Sequence, residues 1–156
     1  MTKLQDILVY ILNKYPYEDD LSNARVTKMV YLSDWISALN FGKVISDIDW
    51  YFDSFGPFVH DVEDTAKERS DIFKLVPSVN FYGKKKIKFK LAGKAPDTHL
   101  SDTDKKSIDY TIKKTMGLSF NDFIDMVYST HPVLSSQKFT YLDLLGKAQE
   151  YQALQA

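Results

Sequence analysis

His60 stands four residues before Asp64, with Asp61 beside it, in a stretch whose pattern is helical. An imidazole and a carboxylate at that spacing share one helix face, where they could hold a metal ion or exchange a proton. Either chemistry needs a third convergent group, and none is visible in the sequence, so the favoured reading is a solvated helix face. His99 lies in a polar loop, and His131 before Pro132 reads as a helix-end residue. Asp47, Asp49 and Asp53 fall at strand spacing and could chelate a cation, though a strand's wet face looks the same. No nucleophile elbow, phosphate-cradling glycine loop or metalloprotease helix is present. The expectation is a chain without catalytic residues, without a metal site and without a cofactor, that is, not an enzyme. The remaining enzymatic alternative is a small metal-dependent activity on His60, Asp61 and Asp64.

Binding chemistry is better represented. Lys84, Lys85, Lys86, Lys88, Lys90 and Lys94 gather on one hairpin. They could dock an acidic partner or a nucleic-acid backbone. Equally, lysines on an edge strand prevent unwanted sheet pairing. The aromatics interleaved with them, Phe81, Tyr82 and Phe89, are too few for a base-stacking platform. The densest aromatic group is Trp50, Tyr51, Phe52, Phe55 and Phe58. Most of it should be core, but period two sends Tyr51 to the face opposite Trp50 and Phe52. An exposed aromatic beside the Gly56–Pro57 corner is a good anchor for a protein partner. The expected partner surface is therefore Tyr51, Phe55, Gly56 and Pro57 with Lys86, Lys88 and Lys90. Within it, Gly56 and Pro57 hold backbone geometry, while Tyr51, Phe55 and Lys88 make contact.

These residues need elements to position them. Val26 to Leu39 is apolar nearly all round, so that helix should be enclosed by its neighbours. Ser22 is its N-cap and Gly42 its left-handed C-cap. Before it, Leu4, Ile7, Leu8, Ile11 and Tyr15 form one clean stripe over Lys3 to Lys14, ended by Tyr15–Pro16. After it, Ile48, Trp50 and Phe52 alternate with polar residues as a half-buried strand. Gly56–Pro57 then opens a third helix, with Pro57 at its first position, acids in its first turn and an end near Arg69–Ser70. Ile72 to Val76 is a strand, Pro77–Ser78 a turn, Val79 to Tyr82 a further candidate strand, and Gly83 to Lys85 a hairpin turn into Lys86 to Leu91. Ser101 with Asp104 starts a helix carried by Ile108, Ile112 and Met116; Ser119 with Asp122 starts another, on Phe120, Phe123, Ile124, Val127 and Tyr128. The last helix follows Thr140, with Leu142, Leu145, Ala148 and Tyr151 inward and a frayed tail from Gln152. The fold class is α+β: a mainly helical single domain, residues 1–156, with one small antiparallel sheet of three to four strands.

Composition sets the bounds. At 156 residues the chain can bury roughly two-thirds of its unfolded surface, and 10 Phe, 10 Tyr and 2 Trp argue for a globule over a disordered tail. A formal net charge of −1 gives no general attraction for nucleic acid or membrane. With no Cys, disulfides, thiol chemistry and Cys-rich zinc sites are excluded. No signal-peptide pattern or transmembrane-length apolar run is present, which suggests a cytoplasmic protein.

Three motifs carry a resemblance. Thr27-Lys-Met-Val-Tyr-Leu-Ser-Asp-Trp35 resembles the signature helix of the Panacea domain, also called SocA-like or GepA-like. Asp49-Trp-Tyr-Phe52 with Phe55-Gly-Pro-Phe-Val59 resembles its aromatic Gly-Pro motif. Leu118–Ser119 with Ser129-Thr-His-Pro132 is similar to its ending. The likeness extends over Leu4 to Tyr151, with one departure: many members carry a Trp soon after the Thr-His-x-x-Pro region, where this chain has Val133 and Leu134. The resemblance implies an antitoxin, phage-associated in some settings, that binds and neutralises a cognate protein toxin. It also implies an alternative, a proteolytic adaptor that hands the toxin to a protease. Some members add a DNA-binding domain; this chain leaves no room for one, so no specific nucleic acid is expected. An isolated edge strand could support either a homodimer or a hetero-complex.

Overall fold

The computed structural model describes residues 1–80 and 82–156. Its centre is α2 (Asn23–Phe41), which α1 (Lys3–Lys14), α3 (Asp61–Lys67), α4 (Asp102–Thr115), α5 (Phe120–Tyr128), α7 (Leu144–Gln155) and a β-hairpin all touch. Enclosure on every side explains why no single apolar stripe marks this helix. Val26, Met29, Val30 and Tyr31 are fully buried. The Ser22 hydroxyl accepts from the Arg25 amide at the N-terminus, and Gly42 closes the C-terminus at φ +67°. The Ser101–Asp104 capping box and the Ser119 cap on the Asp122 amide also form. The mainly helical α+β class holds.

The sheet differs from the expected single unit of three to four strands. Among the described residues there are two two-stranded antiparallel sheets: β1 (Phe52–Asp53) with β2 (Gly56–Pro57), and β3 (Phe73–Val79) with β4 (Lys85–Leu91). The segment before β1 does alternate, with Trp50 and Phe52 buried and Asp49 exposed. Its backbone, however, pairs far along the chain: Phe52 N donates to Thr140 O (2.9 Å) and Leu142 N to Trp50 O (2.8 Å). Alternation marks a half-buried extended segment but not its partner.

Further expectations are corrected. Gly56–Pro57 does not open a helix: Gly56, at φ +99°, turns the chain back as β2, and α3 begins at Asp61. Pro77–Ser78 is no turn, because β3 runs through it opposite Ile87 and Lys86, and an edge strand tolerates proline. The turn comes later, at Asn80 to Lys84, where Gly83 takes φ +76°; the candidate strand Val79 to Tyr82 thus dissolves into the end of β3 and this turn, and its Phe81 lies outside the described residues. Met116, Phe120 and Leu145, expected inward, face solvent. A short α6 (His131–Leu134) starts at His131–Pro132, and α7 continues to Gln155, with Gln152 Nε2 donating to Leu39 O at 2.7 Å.

The outer edge of β4 is partly covered. Phe89 N donates to Leu21 O at 2.8 Å, and Ser22 bridges Lys88. This segment enters α2 through a 3-10 turn at Glu18–Asp20, which carries its acids past the lysines of β4. No helix is long and apolar enough to cross a membrane among the described residues.

Candidate partner-binding surface

Three charged side chains inside the core set the backbone that carries the surface. Asp34, on α2, is 1 % exposed. It accepts from the amides of Ile45 and Ser46 (2.9 Å each), from the Ser46 hydroxyl, and from Trp50 Nε1 (2.9 Å). Four donors from residues 45–50 thereby pin the loop after α2 to the helix. Burial pushes the Asp34 carboxyl above the usual range, against the pull of those donors. Arg25 is also buried; it donates to Thr115 O (2.8 Å) and Leu118 O (3.1 Å), where a cation suits the C-terminal end of α4. Its guanidinium lies 4.7 Å from the Phe123 ring centroid.

Lys28 supports the Gly-Pro corner from beneath. It is 2 % exposed, and its ammonium sits 5.5 Å from the Phe58 ring centroid. Burial pushes its pKa down to about 8, opposed by the charge of Asp53. A Cβ at Gly56 would meet Tyr128 Cε2 at 3.4 Å and Lys28 Cε at 3.7 Å. Gly56 is therefore set by close approach as well as by its positive φ. Lys28, Asp34 and Arg25 were not singled out by sequence reading. The available signal was three charges inside a helix otherwise apolar all round.

The expected partner residues separate into three groups. Phe55, at the tip of the β1–β2 hairpin, is 81 % exposed, while Gly56 and Pro57 are buried beneath it. Tyr51 is half-buried and pairs with Tyr141, their rings 5.2 Å apart and edge-on. Tyr141 and Phe139 are themselves largely exposed, so the aromatic surface continues beyond the residues chosen from sequence. On β4, Lys88 lies 3.4 Å from Asp19 and Lys90 3.6 Å from Glu18. Lys84, Lys85 and Lys86 form no ion pair among the described residues.

Lys86 also lines a groove of about 1040 Å³ that reaches Phe58 below the corner. Its other walls are the N-termini of α2 and α5 and the turn at Asp19–Asp20. A smaller cavity of about 290 Å³ lies between Trp35, His131 and Tyr151 on another side of α2.

The candidate chemical groups stay apart. His60, Asp61 and Asp64 are exposed at the start of α3, and Asp47, Asp49 and His99 are exposed on loops. Among the described residues no three His, Cys, Asp or Glu side chains are placed to hold a metal ion together. His131 Nε2 lies 3.3 Å from Glu150 on α7, a carboxylate that Lys147 also approaches, at 3.4 Å.

A family model described as "Antitoxin SocA-like, Panacea domain" matches residues 26–132. That span runs from the first turn of α2 to the start of α6 and includes Lys28, Asp34 and the Gly-Pro corner. No curated protein and no solved structure matches the chain.

Proposed function

This chain belongs to the Panacea-domain family of SocA-like antitoxins, and we propose that it neutralises a cognate protein toxin in the cytoplasm by binding it directly. The observation that carries this reading is the family match over residues 26–132. The geometry agrees with a binding role. The corner packs over the buried Lys28, and it presents Phe55 outward on a two-residue turn. An exposed aromatic has only two side-chain torsions to fix on binding, which suits an interface anchor. Tyr51 and its partner Tyr141 extend the apolar surface, and Lys86 supplies charge at the groove.

The test is co-expression with the product of the adjacent reading frame. The expected result is that growth arrested by that product recovers when this chain is present, that the two purify together, and that toxin turnover is unchanged. No rescue and no co-purification with any neighbouring product removes the reading. Rescue accompanied by a shortened toxin half-life moves it to an adaptor that delivers the toxin to a protease.

A further inference from the structure

The groove beside the lysine hairpin carries a set of unmet donors. Asn23 and Ala24 begin α2, Phe120 and Asn121 begin α5, and all four line this space. The caps Ser22 and Ser119 take the third amide of each helix, those of Arg25 and Asp122. The first two amides of each helix have no acceptor among the described residues. Two helix N-termini thus bring partial positive charge and free N–H groups to one cavity. Arg25, on the same wall, is 2 % exposed, and its Nε has no partner among the described residues.

The formal charges lining the groove are unequal in their commitments. Asp19 pairs with Lys88, Asp20 accepts from the Tyr15 hydroxyl, and Glu63 lies 3.7 Å from Lys67. The lysines that line the groove, Lys84, Lys85 and Lys86, form no ion pair among the described residues. Between the walls lie Phe58, Ile87, Leu118 and Phe120. An occupant should therefore bring carboxylates to the lysines and helix ends, and an apolar side chain to the aromatics.

We propose that this groove receives an acidic segment of the partner polypeptide, one in which carboxylates flank an aromatic or aliphatic anchor. The proposal rests on the antitoxin reading and names the chemistry of the bound partner. A nucleic-acid backbone fits less well: its phosphates bring no aliphatic side chain to Phe58, Ile87, Leu118 and Phe120, and the chain's net charge is −1.

The probe is a capped decapeptide of glutamates interrupted by phenylalanine, titrated into the full-length ¹⁵N-labelled chain. Amide resonances of Asn23, Ala24, Phe120 and Asn121 should shift together. The triple variant Lys84→Glu, Lys85→Glu, Lys86→Glu should lower peptide affinity by roughly tenfold or more, with thermal unfolding little changed because these side chains are exposed or half-buried and form no ion pair among the described residues. Absence of shifts in the groove overturns the proposal, as does equal affinity in the triple variant. Tighter binding of a thymidine oligonucleotide at the same amides, or shifts that depend on protein concentration alone, overturns it in favour of nucleic acid or a second copy. The two readings fail separately. If the triple variant still rescues cells as wild type does, the groove assignment is lost and the antitoxin reading stands. If the peptide binds as described but no neighbouring product is neutralised, the antitoxin reading is lost and the acidic-segment site stands.

Discussion

Trp50 Nε1 donates to Asp34 Oδ2 at 2.9 Å, and both residues are buried. The indole thus fastens the strand entering the Gly-Pro corner to the centre of α2, while the other Asp34 donors fasten the loop between them. Asp34→Asn keeps one acceptor oxygen for the Ile45 and Ser46 amides but turns an NH₂ toward an indole that can only donate. An orphaned buried donor costs roughly 1–3 kcal/mol, and Asp34→Asn should lose about 2 kcal/mol of that range. In a Trp50→Phe background the same change should cost less, because the indole N–H is already gone. Urea unfolding of the four proteins in a double-mutant cycle checks this; additive losses would mean that the pair is not coupled.

Lys28 makes stability depend on pH in a definite direction. Its folded-state pKa is pushed down to about 8 from 10.5 by burial. Between those values the unfolded chain binds the proton and the folded one does not, so stability rises with pH across that window. Below about 8 both states are protonated and the full penalty is present, on the order of 3 kcal/mol for a shift of this size. Tyrosines act oppositely above about 10: burial, then the Asp109 contact, pushes Tyr10 up to about 12, so its ionisation favours the unfolded chain. The rise should therefore be read between pH 8 and about 10 by denaturant titration. Lys28→Met should flatten it and should add roughly 1–3 kcal/mol at pH 7.

Gly56 and Gly42 both have positive φ, yet their surroundings differ. A Cβ at Gly42 meets nothing within 4 Å, whereas at Gly56 it meets Tyr128 and Lys28. Gly42→Ala should cost only the left-handed backbone penalty, about 1 kcal/mol. Gly56→Ala adds contact at φ +99° and should cost about 2 kcal/mol or more. Thermal unfolding of the two variants side by side gives the order; the reverse order would show that Tyr128 yields easily.

Helix α2 and the loop after it also show which parts of the molecule were legible in the sequence. The enclosure of α2 was legible, because an apolar helix without a wet face has nowhere to go but inside. Its caps were legible because Ser22 and Gly42 act on their immediate neighbours. The role of Asp34 was not, since nothing local says that a loop eleven to sixteen residues on would return four donors to it. The same holds for the pairing of residues 50–52 with residues 139–142, and for the meeting of Lys88 and Lys90 with Asp19 and Glu18. Of the candidate surface, Phe55 could be picked because it stands beside the Gly56–Pro57 break, although that break read as a helix start and proved to be a hairpin turn. The free amides of α2 and α5 could not, because their convergence depends on two helices almost a hundred residues apart.

Phe55 and Lys88 now separate contact from internal structure. Phe55 is 81 % exposed on a hairpin tip, so Phe55→Ala removes little buried area and should leave stability within about 0.5 kcal/mol of wild type. If it anchors the toxin, its loss should weaken the complex by roughly 2 kcal/mol, a change of about thirtyfold in Kd. Lys88 reaches Asp19 with a side chain that is only 19 % exposed. Lys88→Ala should cost stability by up to about 1 kcal/mol through the lost ion pair and stem packing, while leaving toxin affinity nearly unchanged. Isothermal titration with the purified toxin, paired with thermal unfolding of each variant, checks both. A Phe55→Ala protein that binds as tightly as wild type would remove the corner from the interface, and a large affinity loss from Lys88→Ala would return that lysine to it.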